Sequence, residues 1–137
     1  MEDEKDAWIY FIEILIKQEK YDEVERACQN ALKLDRRFKE AWYYYGINYY
    51  KQEKYDEAEF ACRKALELDT DYKDALLCLS AALFKQNRYH DSEDVIKKLI
   101  RLNENDKDAW KILYILLKKQ GKYKEAELAN KRAEQIK

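Results

Sequence analysis

The most restrictive feature of the chain is an internal repeat with a period of 34 residues. The segment Lys5-Asp6-Ala7-Trp8 recurs in closely related form at residues 39–42, 73–76 and 107–110. A Lys-Gln pair with a tyrosine three positions later recurs in phase with it. A fixed period of this length is typical of proteins in which each copy is one supersecondary unit. The copies divide the sequence into a four-residue leader and repeats at 5–38, 39–72, 73–106 and 107–137.

Each repeat has the apolar spacing of two amphipathic helices. The first helix of the second repeat carries aromatic or small residues at i, i+3, i+4 and i+7: Trp42, Tyr45, Gly46 and Tyr49. That spacing is the stripe of an amphipathic helix. The chain has only two glycines and no proline, which favours helices joined by very short connections. The sequence therefore predicts an all-α chain of antiparallel helix pairs.

The second repeat resembles the tetratricopeptide repeat most closely. Counted from Lys39, the fourth, seventh, eighth, eleventh, twentieth and twenty-seventh positions hold Trp42, Tyr45, Gly46, Tyr49, Ala58 and Ala65. The chain is thus similar to tetratricopeptide-repeat proteins over essentially its whole length. This resemblance implies a right-handed superhelical solenoid of about four repeats, forming one domain over residues 1–137, in which neighbouring repeats stack.

The sequence departs from the family pattern at the turns and at one packing position. The family's frequent proline near the thirty-second position is missing, and its turn glycine survives only as Gly121. Charged or polar residues replace them: Arg36, Thr70 and Glu104 for the proline, and Glu19, Glu53 and Asn87 for the glycine. The small eighth residue becomes Ile12 and Tyr114 in the outer repeats. Without the proline a rigid break between repeats is not enforced, so we expect less fixed angles between repeats.

The overall charge and the apolar segments exclude several classes of protein. Lys and Arg total 27 against 28 Asp and Glu, so no net charge attracts the chain to nucleic acid or to anionic lipid. The longest apolar stretches run to about ten residues, whereas a membrane span needs about 20. The acidic start of the chain does not resemble a secretory signal. We expect a cytoplasmic protein that binds neither membrane nor nucleic acid.

Few residues in the sequence could support catalysis or bind a metal. The single histidine, His90, lies beside Asp91 and Ser92 in one short segment, which does not imply a nucleophilic triad. The two isolated glycines form no phosphate-binding loop. Three cysteines without metal-ligand spacing are interpreted as buried small hydrophobes: Cys28, Cys62 and Cys78. We expect no enzyme activity, no metal, no cofactor and no small-molecule substrate.

The resemblance also implies where a ligand binds. In such proteins the first helices of successive repeats line a concave groove, with ligand contacts from positions that include the fifth, ninth, twelfth and thirteenth. The groove residues carried over in this way are Ile9, Ile16, Tyr43, Ile47, Tyr50, Leu77 and Phe84, with Lys51 and Lys85 at the thirteenth position. For Ile47, packing against a neighbouring repeat is an equally good interpretation. The aromatic members favour a scaffold whose groove binds a helical or extended apolar segment of a protein or peptide partner.

Two sets of charges flank each first helix. Its start carries an acid (Asp6, Glu40, Asp74 or Asp108), and its end carries a lysine (Lys17, Lys51, Lys85 or Lys119). These charges complement the helix dipole and, as a secondary effect, could orient a ligand.

The first and last helices differ in how much apolar surface they carry. The last helix has Asn130 and Glu134 where earlier repeats have an apolar pair, as expected of a terminal capping helix. The first is apolar nearly all round, and its candidates for self-association are Trp8, Tyr10, Phe11 and Ile14. An upstream repeat, a homo-oligomer contact through this helix or the groove, and a bound partner each explain that surface. The alternative interpretation of the whole chain is a self-associating assembly module or a designed repeat protein. An RNA-binding helical repeat is a remote alternative.

Overall fold

The computed structural model describes residues 2–137, and the helices of this part of the chain pair in the order that the repeats predict. The bounds are α1 Glu2–Lys17, α2 Tyr21–Leu34, α3 Lys39–Lys51, α4 Tyr55–Leu68, α5 Lys73–Lys85, α6 Tyr89–Leu102, α7 Lys107–Lys119 and α8 Tyr123–Gln135. The all-α fold of helix pairs is confirmed. Because α1 begins at Glu2, the expected leader is largely helical, and Asp6 lies one turn inside the helix instead of at its start. Among residues 2–137, none of the helices combines the length and apolar character that crossing a bilayer requires.

The chain packs as two compact units, one ending at Cys78 and the other running from Leu79 to Lys137. The first unit contains two buried clusters: Ile12, Leu15, Val24, Ala27 and Cys28 in one, and Ala31, Phe38 and Ala41 in the other. Trp8 packs against both clusters. The largest fully buried apolar side chains of the second unit are Leu83, Ile96, Leu99 and Leu116. A single domain over residues 1–137 stays a prediction.

The same tight turn joins the two helices of each repeat. Its left-handed residue has φ of 57° at Glu19, 62° at Glu53, 62° at Asn87 and 76° at Gly121. In the second repeat the Glu53 and Lys54 amides donate back to the last turn of α3, each at 2.9 Å, which is the Schellman arrangement. A Cβ disfavours this backbone conformation. Three of the four turns therefore carry a strain that Gly121 avoids.

A different turn separates one repeat from the next. The second helix ends at a residue with extended backbone, which is Asp35, Asp69 or Asn103. Its side-chain oxygen accepts a hydrogen bond from the amide two residues later, over 2.9, 3.1 and 3.1 Å respectively. This Asx turn breaks the helix without proline. An Asx residue thus ends the second helix at these three connections, and the expectation of less fixed angles between repeats stays a prediction.

In the first unit, the first lysine of a repeat forms an ion pair with the aspartate that follows the second helix of the same repeat. Lys39 Nζ lies 2.5 Å from Asp69 Oδ2 and 4.8 Å from the centre of the Tyr72 ring. Lys5 makes the equivalent ion pair with Asp35 and lies over the Phe38 ring. The repeated lysine thus joins the start of the first helix to the connection that follows the second.

The three cysteines are buried, as predicted, but two of them are also bonded to each other. A disulfide joins Cys62 in α4 to Cys78 in α5, with 6.4 Å between the Cα atoms. Cys28 is a free thiol whose pKa is raised to about 12 by burial and by the nearby Glu25. Gly46 makes room for the disulfide, because a Cβ there would lie 2.7 Å from the Cys62 sulfur. The small eighth position of this repeat therefore serves sulfur packing as well as helix approach.

A buried carboxylate links the last two repeats within the second unit. Glu93 in α6 is 1% exposed. It accepts from Lys97 Nζ at 2.6 Å, from Gln120 Nε2 at 2.7 Å and from Lys122 Nζ at 3.4 Å. Burial would raise the pKa of this carboxyl, but the two hydrogen bonds from Lys97 and Gln120, with the charges of Lys97 and Lys122, lower it to about 2. The carboxylate is therefore ionised at neutral pH.

Candidate peptide-binding surface

Six of the predicted groove residues in the first unit have apolar or aromatic side chains, and all six are half-buried: Ile9, Ile16, Tyr43, Ile47, Tyr50 and Leu77. The two residues from α1 contribute to the core. Ile9 packs against the cluster around Ala31, and Ile16 packs against the cluster around Ile12. Part of the predicted groove therefore stabilises the fold, and the aromatic residues of α3 are the stronger candidates for contact with a ligand.

Tyr43 is the centre of a tyrosine cluster. Its ring centre lies 5.0 Å from that of Tyr44 and 5.7 Å from that of Tyr72. Burial raises the pKa of the Tyr43 hydroxyl, and the carboxylates of Asp74 and Glu13 raise it further. Burial and the same two acids contribute to raising the pKa of Tyr44 to about 12. The cluster thus combines half-buried aromatic surface with negative charge.

The two other aromatic groove residues each contact the first residue of the next helix. The ring centres of Tyr50 and Tyr55 are 5.4 Å apart, and those of Phe84 and Tyr89 are also 5.4 Å apart. Phe84 lies in the second unit. The predicted lysines at the helix ends, Lys51 and Lys85, are exposed.

The α1 residues predicted to mediate self-association do not share one environment. Tyr10, Phe11 and Ile14 are 67%, 49% and 53% exposed. Trp8 is half-buried and belongs to the core packing of the first unit. Three of the four predicted residues therefore belong to the outward apolar surface of α1.

A protein-family comparison identifies the architecture. The model of the middle TPR-like domain of cilia and flagella-associated protein 70 matches residues 35–137. The chain belongs to this TPR-like family. No curated protein matches the chain.

Solved structures with the same fold as this TPR-like domain are numerous, and three illustrate the similarity. MamA is 24% identical with a TM-score of 0.83, over 92% of this chain and 74% of that one. YrrB, described as a TPR protein with an unusual peptide-binding site, is 26% identical with a TM-score of 0.80, over 96% and 69%. The first TPR of Spaghetti (RPAP3), bound to the HSP90 peptide SRMEEVD, is 20% identical with a TM-score of 0.80, over 85% and 95%.

Sequence reasoning found Tyr43 but missed two residues of the tyrosine cluster in this TPR-like domain. Tyr44 was omitted because the sixth position of the repeat was not among those carried over. Tyr72 ends the repeat and reaches Tyr43 from a connection, not from a first helix. The run Tyr43-Tyr44-Tyr45 is a visible signal in the sequence, but only the structure shows which of the three rings belong together. Tyr43 and Tyr44 contact each other, whereas Tyr45 stacks on Trp42 and Tyr49.

Proposed function

We propose that this TPR-like domain is a non-catalytic protein-interaction scaffold that binds a helical or extended apolar segment on the surface around Tyr43 and Tyr50. The observation that carries the proposal is the cluster of Tyr43, Tyr44 and Tyr72. Its rings are half-buried and already packed on one another. A partner therefore meets large aromatic surface that loses little conformational freedom on binding.

The charges around the cluster narrow the chemistry of the partner. The carboxylates of Glu13 and Asp74 act on the tyrosine hydroxyls, and the Lys39 ammonium over the Tyr72 ring is paired with Asp69, so negative potential lies beside the apolar surface. An acidic peptide such as the one in the RPAP3 structure would meet like charge here. The surface therefore suits a neutral or basic apolar segment.

Cytoplasmic location is part of the same proposal, and fluorescence of a tagged chain tests it.

Selection of peptides from a random-sequence library displayed on phage tests the surface. Peptides that bind the wild-type chain are measured by fluorescence anisotropy against Tyr43→Asp/Tyr50→Asp, with Tyr43→Ala as a milder variant. We expect the double variant to weaken binding by about ten-fold or more, because two aromatic contacts are lost and charge is added. The matched control is Tyr123→Asp, at an aromatic residue that is 68% exposed on α8. Equal affinity for the double variant and the wild type, with unchanged circular dichroism, would exclude this surface.

Self-association through α1 is the second candidate function, and the exposure of Tyr10, Phe11 and Ile14 favours it. Apolar side chains exposed side by side on one helix mark an interaction surface. Light scattering over a wide range of concentrations separates the two functions, since a monomer at every concentration excludes self-association.

A further inference from the structure

A second aromatic surface lies on a different stripe of α3. A cavity of about 320 Å³ opens there between α3 and α4, within the first unit. Its lining combines aromatic side chains with two carboxylates: Trp42, Tyr45, Tyr49 and Phe60, with Asp56 and Glu57. None of these residues belongs to the Tyr43 cluster, so the cavity is separate from the surface of the proposed function.

The rings of the cavity form two walls. Trp42, Tyr45 and Tyr49 stack in a row, with centres 6.0 and 5.0 Å apart and ring planes within 18° of parallel. Phe60 stands nearly perpendicular to Trp42, at 6.2 Å and 76°. The hydroxyls of Tyr45 and Tyr49 donate to Glu25 Oε1 over 3.3 and 3.1 Å. These bonds hold the row in place, so the walls are formed before any ligand arrives.

The charges that line this cavity are negative. Asp56 and Glu57 are exposed in the first turn of α4. A neighbouring cavity also includes Trp42 and Tyr45, but there the charged residues are Lys33 and Arg36. Aromatic faces and carboxylates both attract cations. The Asp56 side of the Trp42 ring is therefore suited to a positive group.

The last repeat shows which positive group suits a tryptophan at this position. Trp110 is the counterpart of Trp42, and the guanidinium of Arg132 lies 5.9 Å from its ring centre. Arg132 also donates to Asn105 Oδ1 over 3.2 Å. The counterpart of Arg132 in the second repeat is Lys64, whose ammonium lies over the Phe60 ring at 5.5 Å. The second repeat thus has the tryptophan and the acids, but its own cation, Lys64, lies over the Phe60 ring and not over Trp42.

We propose that the Trp42 cavity binds an arginine side chain of a partner protein. The guanidinium lies between the two walls of the cavity, against the Trp42 ring, and its N–H groups donate to Asp56 and Glu57. Arginine suits this arrangement better than lysine because its planar, weakly hydrated group stacks on rings and presents a fork of donors to carboxylates. The partner is therefore a protein that presents an exposed arginine.

Titration of the full chain with a tripeptide, acetyl-Ala-Arg-Ala-amide, tests the proposal by NMR of the tryptophan indole N–H signals. The Trp42 signal is assigned from its loss in Trp42→Phe. We expect the arginine peptide to shift this signal and not that of Trp110, whose ring already carries Arg132. The citrulline peptide, which has nearly the same shape without the charge, should bind about ten-fold more weakly or less well still. An unchanged Trp42 signal at saturating peptide, or an equal response to citrulline, overturns the proposal.

Two further comparisons test whether the cavity prefers arginine to other cations, and whether binding depends on Asp56 and Glu57 or only on the overall negative charge of the chain. A trimethyl-lysine tripeptide that binds more tightly than the arginine peptide would assign the cavity to methylated lysine instead. Asp56→Asn/Glu57→Gln should weaken arginine binding by about five-fold or more. The matched control is Asp22→Asn/Glu23→Gln, which removes the same two acids from the same positions of α2. Equal weakening in the control pair would show attraction by overall charge and would contradict the proposed site.

Discussion

Glu25 in the first unit and Glu93 in the second occupy the same position of their repeats, yet their carboxylates are held in different ways. Glu25 accepts from the hydroxyls of Tyr45 and Tyr49. Glu93 is buried and accepts from two lysines and a glutamine. The repeat therefore determines where the carboxylate lies, and neighbouring side chains determine what compensates its charge.

The difference originates in the first helix of the following repeat. Tyr45 and Tyr49 in α3 correspond to Leu113 and Leu117 in α7. The leucines offer no donor, and both are buried. In the second unit the carboxylate is therefore held by Gln120 from the turn after α7 and by two ammonium groups. In the first unit, hydroxyl groups bind the carboxylate and at the same time fix one wall of the Trp42 cavity.

Replacing each carboxylate by an amide should give the largest difference in stability between the two sites. We expect Glu93→Gln to lower the free energy of unfolding by about 2–3 kcal/mol, because the buried network loses the negative charge that Lys97 and Lys122 face, and one acceptor oxygen becomes an NH2 donor. Glu25→Gln should cost less than about 1 kcal/mol, since an amide oxygen still accepts from the tyrosines. Urea denaturation followed by circular dichroism measures both values. Equal losses in the two variants would show that the two networks are energetically equivalent.

Acid and alkali should weaken different units. The pKa of Glu93 is about 2 in the folded chain against an ordinary value of 4.5. Since the folded-state value is depressed, its stabilisation is complete above pH 4.5 and is lost as the pH falls towards 2. By pH 3 the loss is about 2 kcal/mol. In Glu93→Gln this loss should be absent.

Alkali acts in the opposite direction on the tyrosines of the first unit. The pKa of Tyr44 is raised from its ordinary value of 10.0 to about 12, and that of Tyr49 is raised as well, by burial and by hydrogen bonds with Tyr45 and Glu25. Their stabilisation is therefore complete below pH 10 and is lost as the pH rises towards 12. The NMR signals of the carbon-bound ring protons of Trp42 and Trp110 report on the first and the second unit. If both residues lost their folded signals together at each extreme of pH, acid and alkali would not act on different units.

The sequence predicted the regular parts of the molecule because the 34-residue period fixes them. The first residues of α3, α5 and α7 coincide with the repeat boundaries. The irregular parts depend on partners that are distant in sequence. Tyr72 meets Tyr43 and Gln120 meets Glu93 across 29 and 27 residues, and Cys62 reaches Cys78 across 16. Neither periodicity nor residue type indicates such pairings, so the tyrosine cluster, the buried carboxylate and the disulfide required the structure.

The turns inside the repeats allow the finest comparison between the units, because Glu53 and Gly121 share one backbone conformation and differ in side chain. Glu53→Gly should raise the free energy of unfolding by about 0.5–1 kcal/mol, since the strain of a left-handed residue with a Cβ exceeds the extra entropy that glycine loses on folding. Gly121→Ala should lower it by about 1 kcal/mol through strain alone, because a Cβ at Gly121 meets no atom within 4 Å. Asn87→Gly should give a smaller gain than Glu53→Gly, since asparagine tolerates this conformation better. Urea denaturation of the three variants measures the series. A loss of stability in Glu53→Gly would show that the Glu53 side chain contributes more than the strain it introduces.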